Sequence, residues 1–191
     1  MAARERRSGG GAFAALQAAA DGLSVAATWA ATGCLVALLL IVLSEILVGV
    51  LSRLSPVFPS SIGFAWEYSS YLMGAAFMLG SGLALRAGMH VRVELLIAMR
   101  GHRYARFFET LSAALGLAFT VLLAGSLIRF TLQAYSFNQL SPESFTPLWI
   151  PQSVLALGAT ILAFQMLVRL AACLLGKPLE DKSLGVATLP E

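Results

Sequence analysis

Trp66-Glu67-Tyr68-Ser69-Ser70-Tyr71, the apolar run over residues 72–85, and then Arg86-Ala87-Gly88-Met89-His90-Val91-Arg92-Val93-Glu94 form the stretch on which the reading of this chain turns. One end carries aromatic side chains and an acid. The other carries a basic turn broken by glycine. An apolar run with unlike polar ends reads as a membrane span with different chemistry at its two water interfaces.

The composition outside this stretch agrees. Of 191 residues, 58% are hydrophobic and 12% charged, and the mean hydropathy is +0.80. A soluble domain carries about 25% charged residues, so half the usual supply would leave much apolar side chain uncovered in water. A bilayer takes such surface, and long charge-free runs cross it as helices. Cys34 and Cys173 lie singly in apolar runs with no Cys-x-x-Cys spacing, which is the pattern of small hydrophobes rather than of redox thiols.

Taken in order, residues 1–23 read as a basic flexible tail holding Arg4, Arg6 and Arg7, with a short Ala-rich interfacial piece around Phe13 to Gln17 that Asp21-Gly22 interrupts. Residues 25–51 follow with one charge, Glu45. A signal-peptide core is about 7–15 residues, so this longer run is a retained span. At ~1.5 Å per residue its length is about 40 Å against a ~30 Å hydrocarbon core, which requires tilt. Arg53, Pro56 and Pro59 close it, since proline does not continue a helix. The remaining spans fall at about 62–85, 107–135 and 149–175, with Pro151 in the first turn of the last one.

Residues 86–106 hold Arg86, Arg92, Arg100, Arg103 and Arg106 together with His90 and His102. An isolated strand there would leave its backbone unpaired, so an interfacial amphipathic helix is expected. The fold expected is thus an all-α integral membrane protein. Its four long tilted spans make one domain over residues 24–176, followed by a polar tail at 177–191. Eleven of the thirteen Lys and Arg residues then share a face with both termini, leaving Arg53 and Arg129 toward the other. By the positive-inside rule both termini are cytoplasmic. Trp66, Tyr68, Tyr71, Tyr135, Phe137 and Trp149 gather at the outer face as an aromatic belt.

Chemistry is sparse. Both histidines lie outside the spans, and neither a Gly-x-x-x-x-Gly-Lys-Ser/Thr loop nor a His-Glu-x-x-His motif occurs. No catalytic, substrate-binding, metal or cofactor site is expected, and no nucleic-acid partner. Glu45 and Glu67 are intramembrane acids and so candidates for function, although solvation at the interface or pairing with Arg53 or Arg129 is the plainer reading of each. Gly74, Gly80 and Gly82 let another helix approach closely, belonging either to this chain or to a partner. A small four-span exporter built around Glu45 is the rival reading, and a membrane enzyme or electron-transfer bundle a third.

The order Trp66-Glu67, Tyr71-Leu72, Gly80, then Ala84-Leu85-Arg86-x-Gly88-x-His90-Val91-Arg92-Val93-Glu94 resembles the DctQ-type small membrane subunit of TRAP transporters, the tripartite ATP-independent periplasmic systems. Pro147-Leu148-Trp149-Ile150-Pro151 and Gln165-Met166-Leu167-Val168-Arg169-Leu170 fit the family's last span. Two positions depart from it. Arg53 is followed by Leu54 where the family usually has Tyr, and Glu94 replaces an Asp. The similarity covers roughly residues 30–175. It implies that a soluble periplasmic protein captures an organic acid, often a carboxylate, and that a large multi-span subunit moves it with an ion gradient, typically sodium. The small subunit is then a non-catalytic scaffold in the bacterial inner membrane. Substrate and sodium sites belong to the large subunit, so the resemblance assigns none here. Trp66, Glu67, Gly74, Gly80, Gly82, Arg86, His90, Arg92 and Glu94 become candidates for partner contact or membrane anchoring, alongside the membrane lipids.

Overall fold

The computed structural model describes residues 2–55, 59–86 and 101–175. They form four helices: α1 (Ala2–Leu54), α2 (Ala65–Arg86), α3 (Gly101–Ser136) and α4 (Trp149–Leu175). No strand occurs among the described residues; an isolated antiparallel bridge joins Leu140 to Pro147 in the α3–α4 connection. His90, Arg92, Glu94 and the tail at 177–191 lie outside the described residues.

Three segments are long and apolar enough to cross a membrane: Phe13–Leu54, Phe107–Ser136 and Trp149–Leu175. The 22 residues of α2 reach about 33 Å, also sufficient by length. Its Ser69, Ser70, Ser81 and three glycines dilute its apolar character, and α1 and α4 pack along it while Trp66, Met73 and Phe77 stay exposed. The chain is an all-helical membrane protein.

Two boundaries differ from the sequence reading. Asp21-Gly22 does not interrupt α1, which continues through it for 53 residues. A mid-helix Gly costs about 1 kcal/mol relative to Ala. Packing offsets this, because Phe13 and Ala20 are buried against Val168 and Ala172 of α4. The Ala-rich piece expected to be short and interfacial is therefore part of α1 and contributes core from Phe13 onward. The second difference is at α3, which begins at Gly101, so the last six residues of the expected interfacial segment are helix continuous with the span.

The packing is organised around α4, which touches α1, α2 and α3. α2 also lies along α1, whereas α3 packs on α4 alone among the described residues. The closest approach is between α2 and α4, where a Cβ on Gly158 would stand 2.8 Å from the Met78 carbonyl carbon and 3.0 Å from the Leu79 nitrogen. A second layer brings Ala27 and Ala31 of α1 onto Leu79, with Val154 and Ile161 alongside. On α3 the buried positions Ala113, Thr120, Ala124 and Ala134 form one stripe. Leu115, Phe119, Leu122, Phe130 and Leu132 of α3 are exposed. Hydroxyl groups along the spans bond their own helix, as at Thr28 to the Ser24 carbonyl, Thr120 to Gly116 and Thr160 to Ala156. That satisfies them without water, which lipid cannot supply.

Candidate functional site

The polar side chains of the spans gather at two levels. The first lies where the α1–α2 and α3–α4 connections meet. α3 ends in a Schellman turn: the Gln139 amide bonds the Ala134 carbonyl at 3.0 Å, the Asn138 amide bonds Tyr135 at 3.2 Å, and Asn138 takes a φ of 45°. The chain then doubles back, with the Ser141 amide on the Thr146 carbonyl at 2.9 Å and the Leu148 amide on Gln139 at 3.0 Å. Tyr135 and Trp149 close the base of this loop edge to face at 5.7 Å.

The first turn of α2 holds the loop down. Glu67 accepts a hydrogen bond from the Tyr71 hydroxyl and another from the Ser144 amide at 3.1 Å. Tyr68 and Thr146 share a hydroxyl–hydroxyl bond of 2.8 Å, and Ser144 donates to Thr146 at 2.7 Å. A carboxylate in the first turn of a helix also faces the positive end of its dipole. Glu45, on α1, accepts the Ile62 amide at 2.8 Å just before α2 begins. Each acid singled out in the sequence thus holds backbone of a connecting loop. Among the described residues no ion pair joins Glu45 or Glu67 to Arg53 or Arg129; both arginines are exposed. Within the expected aromatic belt, Trp66, Tyr135 and Phe137 are exposed, while the hydroxyls of Tyr68 and Tyr71 turn to Thr146 and Glu67.

The second level is at the opposite end of the bundle. Gln165 of α4, 2% exposed, donates to the Ser24 hydroxyl at 2.8 Å and lies 3.5 Å from a carboxylate oxygen of Asp21. Gly82 makes room for this junction, since a Cβ there would meet Ser24 Oγ at 3.0 Å. Gly74 faces Leu155 at 3.2 Å and Gly80 faces Ala31 at 3.9 Å. The three glycines of α2 thus face α1 and α4 of the same chain. Asp21, Ser24 and Gln165 were not singled out as site residues. The available signal was a Gln inside an apolar run, which is expensive in lipid unless it finds a partner.

Among the described residues no three His, Cys, Asp or Glu side chains gather as metal ligands would. Apart from Ser141 Oγ and Gln152 Oε1, which are buried without a hydrogen-bond partner among the described residues, the polar side chains at these two levels bond backbone amides and each other, an arrangement suited to fixing helix ends and loops.

A helical membrane protein whose polar groups brace its own loops is the class that the fold defines. The family follows from comparison with known proteins. The chain matches the DctQ component of tripartite ATP-independent periplasmic transporters over residues 42–176, and it belongs to that family. It is 28% identical over 88 residues to the C4-dicarboxylate TRAP transporter small permease protein DctQ of Rhodobacter capsulatus. That match covers 46% of this chain and 39% of the relative, so the chain spans well under half the length of that protein. No solved structure matches.

Proposed function

We propose that this chain is the non-catalytic small subunit of a TRAP-type secondary transporter in the bacterial inner membrane. It crosses the membrane four times with both termini cytoplasmic, and it braces a large multi-span permease. A periplasmic binding protein delivers the substrate, an organic acid of the carboxylate class, and an ion gradient drives its uptake. Family membership supports the role as a transporter component, and the name of the Rhodobacter relative supports a carboxylate cargo.

The observation that carries the scaffold reading is the uneven packing of α3. Only one stripe of that 36-residue helix meets α4, and Leu115, Phe119 and Leu122 are uncovered. Such a face is satisfied by lipid and leaves room on α3 for a partner helix to pack. Co-expression with a large TRAP permease encoded beside it tests this. A stable one-to-one or higher-order complex is expected after detergent extraction, and separate elution of the two chains would refute it.

The exporter reading asks Glu45 to exchange protons or bind a cation. Its carboxylate instead holds the Ile62 amide, which favours a structural role. Glu45→Gln, whose amide oxygen can still accept the Ile62 amide, is accordingly expected to leave complex yield within about twofold of wild type.

A further inference from the structure

The α3–α4 connection carries one feature that the scaffold role does not require. Phe145 adopts a φ of 52° and is 72% exposed. A positive φ is a genuine outlier for a bulky residue, and an exposed aromatic ring gains nothing from its own protein. Its neighbours leave it no choice. The Ser144 amide is bonded to Glu67 and the Thr146 hydroxyl to Tyr68, so both flanking residues are drawn in toward α2 and the ring between them is turned out.

We infer that Phe145 is a membrane anchor, a wedge that seats the α3–α4 loop in the headgroup region of the leaflet on the loop side. Three observations favour lipid over a soluble partner. The loop does not stand off into water; it starts at Ser136, ends at Trp149 and is tied to the first turn of α2, so Phe145 lies at the level of the helix ends. Exposed aromatic residues continue around that level at Trp66 (82%), Tyr135 and Phe137, and such residues partition to the interface. Residues 137–148 carry one charge, Glu143, and no Lys or Arg, so little charge opposes insertion and none steers a charged partner. The anchor requires only that the chain sits in a bilayer, so it stands or falls separately from the partner reading.

The test uses the full chain in phosphatidylcholine vesicles, with Cys34→Ala and Cys173→Ala removing the two free thiols. A nitroxide label is placed at Phe145→Cys, with Glu143→Cys as the control. At 145, collisions with oxygen, which concentrates in lipid, should exceed those with a water-soluble nickel chelate several-fold. At 143 the order should reverse. Dominance of the nickel chelate at 145 would overturn the anchor, as would occlusion from both reagents, or protection that appears only when a periplasmic binding protein is added. Should the thiol-free background fail to fold, Phe145→Trp can be read with Trp29, Trp66 and Trp149 replaced by Phe. Quenching by lipids brominated near the headgroup should then exceed quenching by iodide, and the reverse would refute the proposal.

Discussion

Glu67 shows how a single carboxylate in this chain is used. Its two oxygens take the Tyr71 hydroxyl and the Ser144 amide, joining the start of α2 to a loop 77 residues later in the chain. Hydrogen bonds to a charged group contribute about 1.5–3 kcal/mol each. Glu67→Ala should therefore release the loop, and limited proteolysis from the loop side should cut residues 137–148 faster than in wild type while the helices persist. Phe145 makes the opposite case. Relieving a left-handed φ recovers about 1–2 kcal/mol, and the greater freedom of an unfolded glycine returns roughly 0.5–1 kcal/mol of that. Phe145→Gly is expected to raise the thermal midpoint in detergent, where the ring has no leaflet to enter; a lowered midpoint would mean that the ring packs on protein. Neither feature was legible in the sequence. Glu67 stood out as an acid beside aromatics, but Ser144, Thr146 and Asn138 are ordinary loop residues whose roles exist only once distant segments meet. Gln165 carried a signal, a polar side chain within an apolar run. Its partners Ser24 and Asp21 could not be read, because they lie in a segment whose Asp-Gly pair mimics a break.

At the scale of the helices, apolar run length matches the last two closely. The expected limits 149–175 coincide with α4, and 107–135 falls inside α3. What run length could not reveal is where a helix continues past its apolar part, since that depends on a neighbour. α1 runs through Asp21-Gly22 because Phe13 and Ala20 find Val168 and Ala172. Nor could it show that α2, whose apolar run is interrupted by serines and glycines, packs on both α1 and α4. The tightest contact, Gly158 on Met78, gives a sharp test. A methyl group there collides with backbone at 2.8 Å, which a side-chain rotation cannot relieve. Gly158→Ala should cost about 1–3 kcal/mol and lower the thermal midpoint in detergent. Gly125, with open space around it, provides the contrast, and Gly125→Ala should be neutral or slightly stabilising. Gln165→Leu removes an interhelical bond worth about 0.6–1.7 kcal/mol in membranes, and its measured loss should fall below that of Gly158→Ala.

For the whole molecule, the division of labour follows from where polar groups are placed. They sit at the two ends of the bundle, bonding loops and helix junctions, while long apolar faces of α1 and α3 remain open. A bundle so arranged is stiff at its ends and unfinished along its sides, which suits a brace for a partner that moves. The basic segment with Arg86, His90, Arg92 and Glu94 belongs to the same account. His90→Ala and Arg92→Ala are expected to lower the yield of the assembled complex while leaving apparent substrate affinity unchanged, measured as uptake against external substrate in cells expressing both subunits. A shift in affinity at constant complex yield would place these residues in the transport path instead.

Reconstitution tests the central claim most directly. Vesicles containing this chain alone, the large permease alone, or both together are given the cognate binding protein, its bound carboxylate and an inward sodium gradient. The scaffold account predicts uptake only where both subunits are present. Uptake by this chain alone, or full uptake by the large subunit without it, would contradict that account.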